Sequence, residues 1–249
     1  MLGKLPRMFF RPLKLFLSKD SYLKIKDHYN KSAIQPYEIV SLGTSCYPKT
    51  ILTRHKLKKT KADGELSLPF DLAWFHEAVF VTEFIKNNFD GFFSDMRYIE
   101  NINCWDNYTK INFSHETGFG PEDKDLLIEK YTKRIENFSK IMDSDRPVLF
   151  IQFLKTPSVG EDSTNLYNVL KEKRNGKPFE LLIIDCADII KDFAPEINVL
   201  KLTLPSEDVN LYDASFYKSK AGKKFEKNII NKCKSLIKKK FNFNLTIYL

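Results

Sequence analysis

Val148-Leu149-Phe150-Ile151 is apolar at every position, and Leu181-Leu182-Ile183-Ile184 repeats the feature further along the chain. Successive side chains of a strand point to opposite faces, so an unbroken apolar run needs cover on both, as in a parallel sheet layered between helices. These runs lie within Pro147–Leu154 and Phe179–Cys186; Ile197–Leu204 is nearly as apolar, and Tyr37–Gly43 completes a set of segments with strand character. At the carboxyl end, Phe241, Phe243, Leu245 and Ile247 alternate with Asn242, Asn244 and Thr246, the period of an edge strand. The expected fold is α/β: a mostly parallel sheet of about five strands flanked by helices, with the C-terminal edge strand closing it.

Helical patterns fill the intervals. Gly120-Pro121 opens the clearest one, with Pro121 suited to a first turn, acids Glu122, Asp123 and Asp125 favouring the positive end of the helix, and Leu127, Tyr131, Ile135, Phe138 and Met142 forming one apolar stripe. Phe80, Val81, Phe84, Ile85 and Phe89 predict a second buried helix from about residue 76, stopped near Asp90-Gly91. Residues 92–120 show no clear period and read as an irregular excursion over the sheet, a usual location for binding residues.

The 249 residues, 43% of them hydrophobic and 14% aromatic, supply enough apolar surface for one large core. Residues 1–36 read as a basic N-terminal extension and 37–249 as a single α/β domain. The net charge of +8 is concentrated at the ends: residues 1–26 balance to +6 and residues 218–240 to +9, which leaves −7 for residues 27–217. An acidic middle argues against a polyanion-binding active site, so nucleic acid is not an expected partner. The basic ends could instead meet an anionic membrane surface. Lys4, Arg7, Arg11 and Lys14 fall at helical spacing with Leu2, Leu5, Phe9, Leu13 and Phe16 on other faces, as in a surface-lying amphipathic segment, although a basic extension packing its phenylalanines on the domain reads equally well. Charges and prolines interrupt every apolar stretch there, so neither a membrane span nor a cleaved signal is expected. Cys46, Cys104, Cys186 and Cys233 stand far apart without a C-x-x-C pair, which fits a reducing, cytoplasmic setting and suggests neither zinc nor a disulfide framework. No cofactor or metal is expected.

The chemistry centres on Ser41-Leu42-Gly43-Thr44-Ser45-Cys46. The strand should end at Leu42, Gly43 should give the sharp turn its backbone freedom, and a helix should begin near Ser45, which can cap it, with Pro48 in its first turn. Cys46 then sits at a helix N-terminus, where free N–H groups and the helix dipole stabilise a thiolate and could hold an oxyanion. Gly43, Thr44 and Ser45 are the matching substrate-binding candidates. The competing reading is a small buried cysteine beneath the turn. Among possible bases, His28 lies in the basic extension and His55 two turns along the same helix; His76 and His115 remain, with His115 preferred for its place in the irregular stretch. In Leu68-Pro69-Phe70-Asp71, Asp71 is held beside Trp74, a further substrate-binding candidate, and could orient His115 or simply cap the next helix.

Together with Phe113-Ser114-His115 and Lys133-Arg134-Ile135-Glu136-Asn137-Phe138 ahead of Val148-Leu149-Phe150, these motifs resemble the bacterial and viral family called putative papain-like cysteine peptidases, over about residues 37–204. The resemblance implies a Cys-His enzyme with Cys46 as nucleophile, His115 as base and Asp71 as orienting acid. Leu72 stands where the family usually has tryptophan. Downstream of the last strand, where tryptophan-containing signals are expected, Asp208–Tyr217 offers Tyr212, Phe216 and Tyr217. A cysteine-dependent hydrolase or acyl transferase is the leading expectation. The alternative is a transferase of surface-polysaccharide assembly whose strand-end acids, Asp185, Asp188, Asp208 and Asp213, line a crevice for a sugar donor. No glycine-rich phosphate loop accompanies it.

Overall fold

The computed structural model describes residues 37–60, 65–107, 110–155, 163–188, 193–206 and 209–241, together with positions 18 and 21. The apolar runs form the main sheet. Strands β1 (Glu38–Leu42), β6 (Val148–Leu154), β7 (Phe179–Asp185) and β8 (Asn198–Lys201) pair in parallel in the order β1-β6-β7-β8. The central strand β6 is buried along its whole length. Its alternate residues serve two cores. Val148, Phe150 and Leu154 face helices α2 (Ala78–Lys86), α3 (Lys124–Asp143) and α4 (Ser163–Arg174). Leu149, Ile151 and Phe153 face helix α1 (Tyr47–Arg54), the short helix α5 (Ala214–Tyr217) and the long helix α6 (Lys220–Phe241). Two buried faces are what the continuous apolar runs require.

The described residues of the 92–120 stretch include three short strands. β2 (Trp74–Phe75), β3 (Arg97–Ile99), β4 (Cys104–Asn107) and β5 (Ile111–Asn112) make a small antiparallel sheet in the order β2-β5-β4-β3. Its strands are too short, and too rich in amide and aromatic residues, to show a period. The aromatic rings of Phe70, Phe75, Phe84, Phe89, Phe92, Phe113 and Tyr131 pack in a continuous series beneath it. The main sheet has four described strands, one fewer than the expected five, because the expected C-terminal edge strand falls on residues 242–249, outside the described residues. Phe241 belongs to the end of α6. The amphipathic N-terminal segment also lies outside them. The basic segment 218–240 proves to be mostly α6, which buries Phe225, Ile229, Ile230, Cys233, Leu236 and Ile237 against the sheet.

The passage from α5 to α6 is unusually close. A Cβ built on Gly222 would meet the Phe216 carbonyl oxygen at 2.0 Å and the Tyr217 Cα at 2.9 Å, so no side chain fits without moving backbone. Gly222→Ala is therefore expected to destabilise the protein by about 3 kcal/mol, the upper end of overpacking costs. A urea melt indistinguishable from wild type would contradict this packing.

Candidate active site

Cys46 is the N-cap of α1, immediately after the turn that leaves β1. The helix therefore starts one residue later than expected from Ser45, and Cys46 stands at its mouth. Its carbonyl accepts both the backbone N–H and the side-chain hydroxyl of Thr50, each at 3.0 Å. Thr44 donates its hydroxyl to the Phe153 carbonyl at 2.7 Å and so ties the turn to β6. Gly43 is needed for space and not for an unusual φ: a Cβ there would lie 3.1 Å from the Phe70 carbonyl oxygen. The Leu68–Asp71 turn thus presses directly on the nucleophile turn.

His115 arrives from the small sheet. Phe113 donates its N–H to Trp105, Ser114 donates to the Asn112 side-chain oxygen, and Glu116 donates to the Phe113 carbonyl, at 2.9, 2.8 and 2.8 Å. This tight turn projects His115 across the carboxyl end of the main sheet, where Nε2 comes within 3.2 Å of Cys46 Sγ. Glu116, next in the chain, is buried and anchors the turn to α3 through Arg134 Nη2 at 2.7 Å, Lys130 and the Tyr131 hydroxyl. Asn137 on the same helix donates to the Ser67 carbonyl at 3.2 Å. The Lys133–Phe138 motif therefore holds both the histidine turn and the Leu68–Asp71 turn.

Electrostatics favour a charged pair. Burial raises the Cys46 thiol, but hydrogen bonds from His115 and Tyr212 outweigh it and leave the thiol below its ordinary value. The hydrogen bond with Cys46 raises His115, with the charges of Cys46 and Glu116 adding to it against the effect of burial. The other thiols go the opposite way. Burial raises Cys104, and pushes Cys186 and Cys233 up to about 12.

Asp71 does not complete a triad in this geometry. Its Oδ2 accepts from Lys49 Nζ and from the Leu68 N–H, both at 2.9 Å, and makes no hydrogen bond to His115. Fully buried and bonded within its own turn, it braces the segment that packs against Gly43. The companion of the Cys46–His115 pair is instead Tyr212, whose hydroxyl oxygen accepts from Sγ at 3.3 Å. Sequence reasoning passed over it because it lies 166 positions from Cys46 on a loop without regular structure. Its signal in the sequence was an aromatic residue in Asp208–Tyr217, downstream of the last strand.

These groups open onto a cavity of about 510 Å³, floored by Ala73, Phe75, Phe153 and Leu211 and edged by Trp74, His76 and Lys155. Trp74, 44% exposed, stands beside the entrance with its ring against His76. Ser45 lines the same space, as does Thr44. His76 itself faces Asp106 at 3.7 Å and does not approach Cys46 within hydrogen-bonding distance. His55 is likewise occupied, by Glu226 of α6 at 2.8 Å.

Residues 37–128 match the family described as putative papain-like cysteine peptidase. That segment carries both Cys46 and His115, while Tyr212 and three of the main sheet's four strands lie beyond it. Searches of curated proteins and of solved structures return no match. The family resemblance thus covers the dyad, and the parallel sheet is observed directly.

The strand-end acids do not gather around the cavity. Asp185 accepts from the Ala187 N–H at 3.1 Å, Asp188 pairs with Lys201 at 2.6 Å, and Asp213 caps α5 through the Ser215 N–H at 2.8 Å. Asp208 lies outside the described residues. Among the described residues, no cluster of three His, Cys, Asp or Glu side chains is placed to hold a metal ion, and no helix is long and apolar enough to cross a membrane.

Proposed function

We propose that this protein is a cysteine-dependent acyl-transfer enzyme that forms an acyl-enzyme on Cys46. The observation that carries the reading is the 3.2 Å approach of His115 Nε2 to Cys46 Sγ at a helix N-terminus, inside a cavity large enough for a substrate. Sγ attacks the carbonyl carbon of an amide or ester, and His115 gives its proton to the departing amine or alcohol. Water or another acceptor then loses a proton to His115 as it attacks the thioester and frees Cys46. Hydrolysis and transfer share the first half of this cycle, so the dyad serves either outcome. Glu116 supports the imidazolium electrostatically and, through Arg134 and Lys130, fixes the turn that carries it.

Alkylating the intact protein with iodoacetamide across pH, with mass-spectrometric mapping, tests this reading. Cys46 should react first, with an inflection below the roughly 8.5 of a free thiol, while Cys104, Cys186 and Cys233, all raised by burial, stay unmodified near neutrality. The sign of the activity profile follows. Rate rises with pH as Cys46 ionises, at a lower pH than for an ordinary thiol, and falls when His115 loses its proton, at a higher pH than the roughly 6.5 of an ordinary imidazole. Equal labelling of all four cysteines, or full activity in Cys46→Ala, would defeat the proposal.

A further inference from the structure

We propose that Tyr212 is a second catalytic residue, whose phenolic O–H donates a hydrogen bond to the substrate's carbonyl oxygen as that oxygen becomes an oxyanion. The proposal rests on the acyl-transfer reading of Cys46 and adds the electrophilic half of the site. It also sets the substrate class: compounds with a planar carbonyl that becomes tetrahedral on attack.

The first argument is a shortage of donors at the helix mouth. An acyl-transfer site needs hydrogen-bond donors roughly 2.7–3.1 Å from where the oxyanion forms, and a helix N-terminus ordinarily supplies them from its unpaired N–H groups. In α1 that supply is thinned. Pro48 has no N–H, and the Tyr47 N–H faces the Ser45 side-chain oxygen at 3.4 Å. A side-chain donor beside Cys46 would make good the loss, and Tyr212 is the side chain placed there.

The second argument is position. The Tyr212 hydroxyl lies 3.3 Å from Sγ, and the oxyanion of a tetrahedral adduct is only two bonds from that sulfur. Once the thiol has lost its proton, this contact persists only with the phenol O–H as the donor, and a donor so placed can follow the charge to the oxygen with little movement. The hydroxyl is also held in place. The Tyr212 ring meets the Tyr47 ring edge to face, with centroids 5.8 Å apart at 89°. Tyr47 is itself buried against Phe153 and Phe225. The Tyr212 N–H donates to the Asn210 side chain at 3.0 Å, and Lys155 Nζ donates to the Val209 carbonyl at 3.2 Å, fastening this loop to the end of β6. Yet Tyr212 is 43% exposed and lines the cavity, so a substrate can reach it.

The third argument is protonation. Burial raises the Tyr212 phenol, and its hydrogen bond with Cys46 raises it further, against smaller lowering effects from Ser45 and the Tyr47 N–H. Tyr212 therefore keeps its O–H proton at neutral pH and above, beyond where an ordinary phenol begins to lose it.

The step balances as follows. The C–S bond forms from the Sγ lone pair, and the carbonyl π pair moves onto oxygen, where Tyr212 donates its hydrogen bond without surrendering the proton. When the adduct collapses, that pair rebuilds the C=O bond, the bond to the leaving group breaks, and the leaving group takes the proton held by His115. No oxidant, reductant or metal is needed.

Tyr212→Phe removes the oxygen and keeps the ring that packs on Tyr47. Two probes would be applied to the full-length protein and read as adducts on Cys46: p-nitrophenyl acetate, whose carbonyl becomes an oxyanion, and iodoacetamide, which is attacked at a saturated carbon and creates none. Acylation should fall by about 10²-fold or more, while alkylation at equal thiolate fraction changes by less than about threefold. Parallel loss with both probes would assign Tyr212 to the thiolate alone and overturn the proposal; so would unchanged acylation. A wild-type Cys46 that alkylates but never acylates would instead defeat the acyl-transfer reading, and this proposal with it.

Discussion

Replacing His115 with asparagine should slow acyl transfer by about 10³-fold and move the ionisation of Cys46 to higher pH. Both effects have the same origin. Burial alone pushes the Cys46 thiol up, and the hydrogen bond of His115 is the largest of the influences that reverse it, followed by the Tyr212 hydrogen bond and the His115 charge. Without the imidazole, the Tyr212 hydrogen bond remains but no cation compensates for burial, so fewer molecules carry the thiolate at neutral pH. The proton that His115 would deliver to the leaving group is lost as well. Stopped-flow acylation measures the first effect and the pH dependence of iodoacetamide alkylation the second. If the alkylation profile of His115→Asn superimposes on that of wild type, the 3.2 Å contact between His115 and Cys46 has no electrostatic consequence.

Arg174→Met should cost about 3–5 kcal/mol of folding stability while leaving the alkylation profile of the remaining folded protein unchanged. Arg174 is completely buried, yet its hydrogen bonds run to backbone carbonyls. Nη1 donates to Ile141 at 2.7 Å and to Met142 and Ser144 at 2.8 Å, and Nη2 donates to Arg146 at 2.8 Å and Pro178 at 3.1 Å. The carbonyls of Ile141, Met142, Ser144 and Arg146 lie at the end of α3 and in the connection to β6, and that of Pro178 lies just before β7. Methionine matches the volume but strands the carbonyls away from water. Arg174→Lys should recover only part of the loss, because an ammonium lacks the planar fork that reaches several acceptors at once. A urea midpoint within about 1 kcal/mol of wild type for the methionine variant would mean that water meets these carbonyls instead.

The legibility of the chain differed between its layers for identifiable reasons. The runs at Val148 and Leu181 declared strands covered on both faces, whereas the run at Ile197 gave β8, a shorter edge strand that is only partly buried; the stripe from Leu127 to Met142 declared the helix packed on the sheet. Such signals are strong because each element repeats one requirement, burial, over many residues. The small sheet did not declare itself: β2 and β5 are two residues each, and a pair of residues has no period. Asp71 shows a different limit. A carboxylate in a Pro-Phe-Asp turn could orient a histidine or brace its own backbone, and only the bonds to Lys49 and the Leu68 N–H distinguish the two.

By itself, then, the sequence determined the parallel α/β frame and the position of Cys46 at the end of the first strand, because strand polarity and helix-start chemistry are local. It left His115 and His76 as candidate bases and favoured His115. The tertiary structure put His115 against Cys46, bonded Asp71 to Lys49 and the Leu68 N–H and not to the histidine, and brought Tyr212 across 166 positions to the sulfur. Those choices depend on distances of about a hydrogen bond between segments remote in the chain. Such distances arise only when the two sheets, α1 and the loop at residues 209–213 pack together.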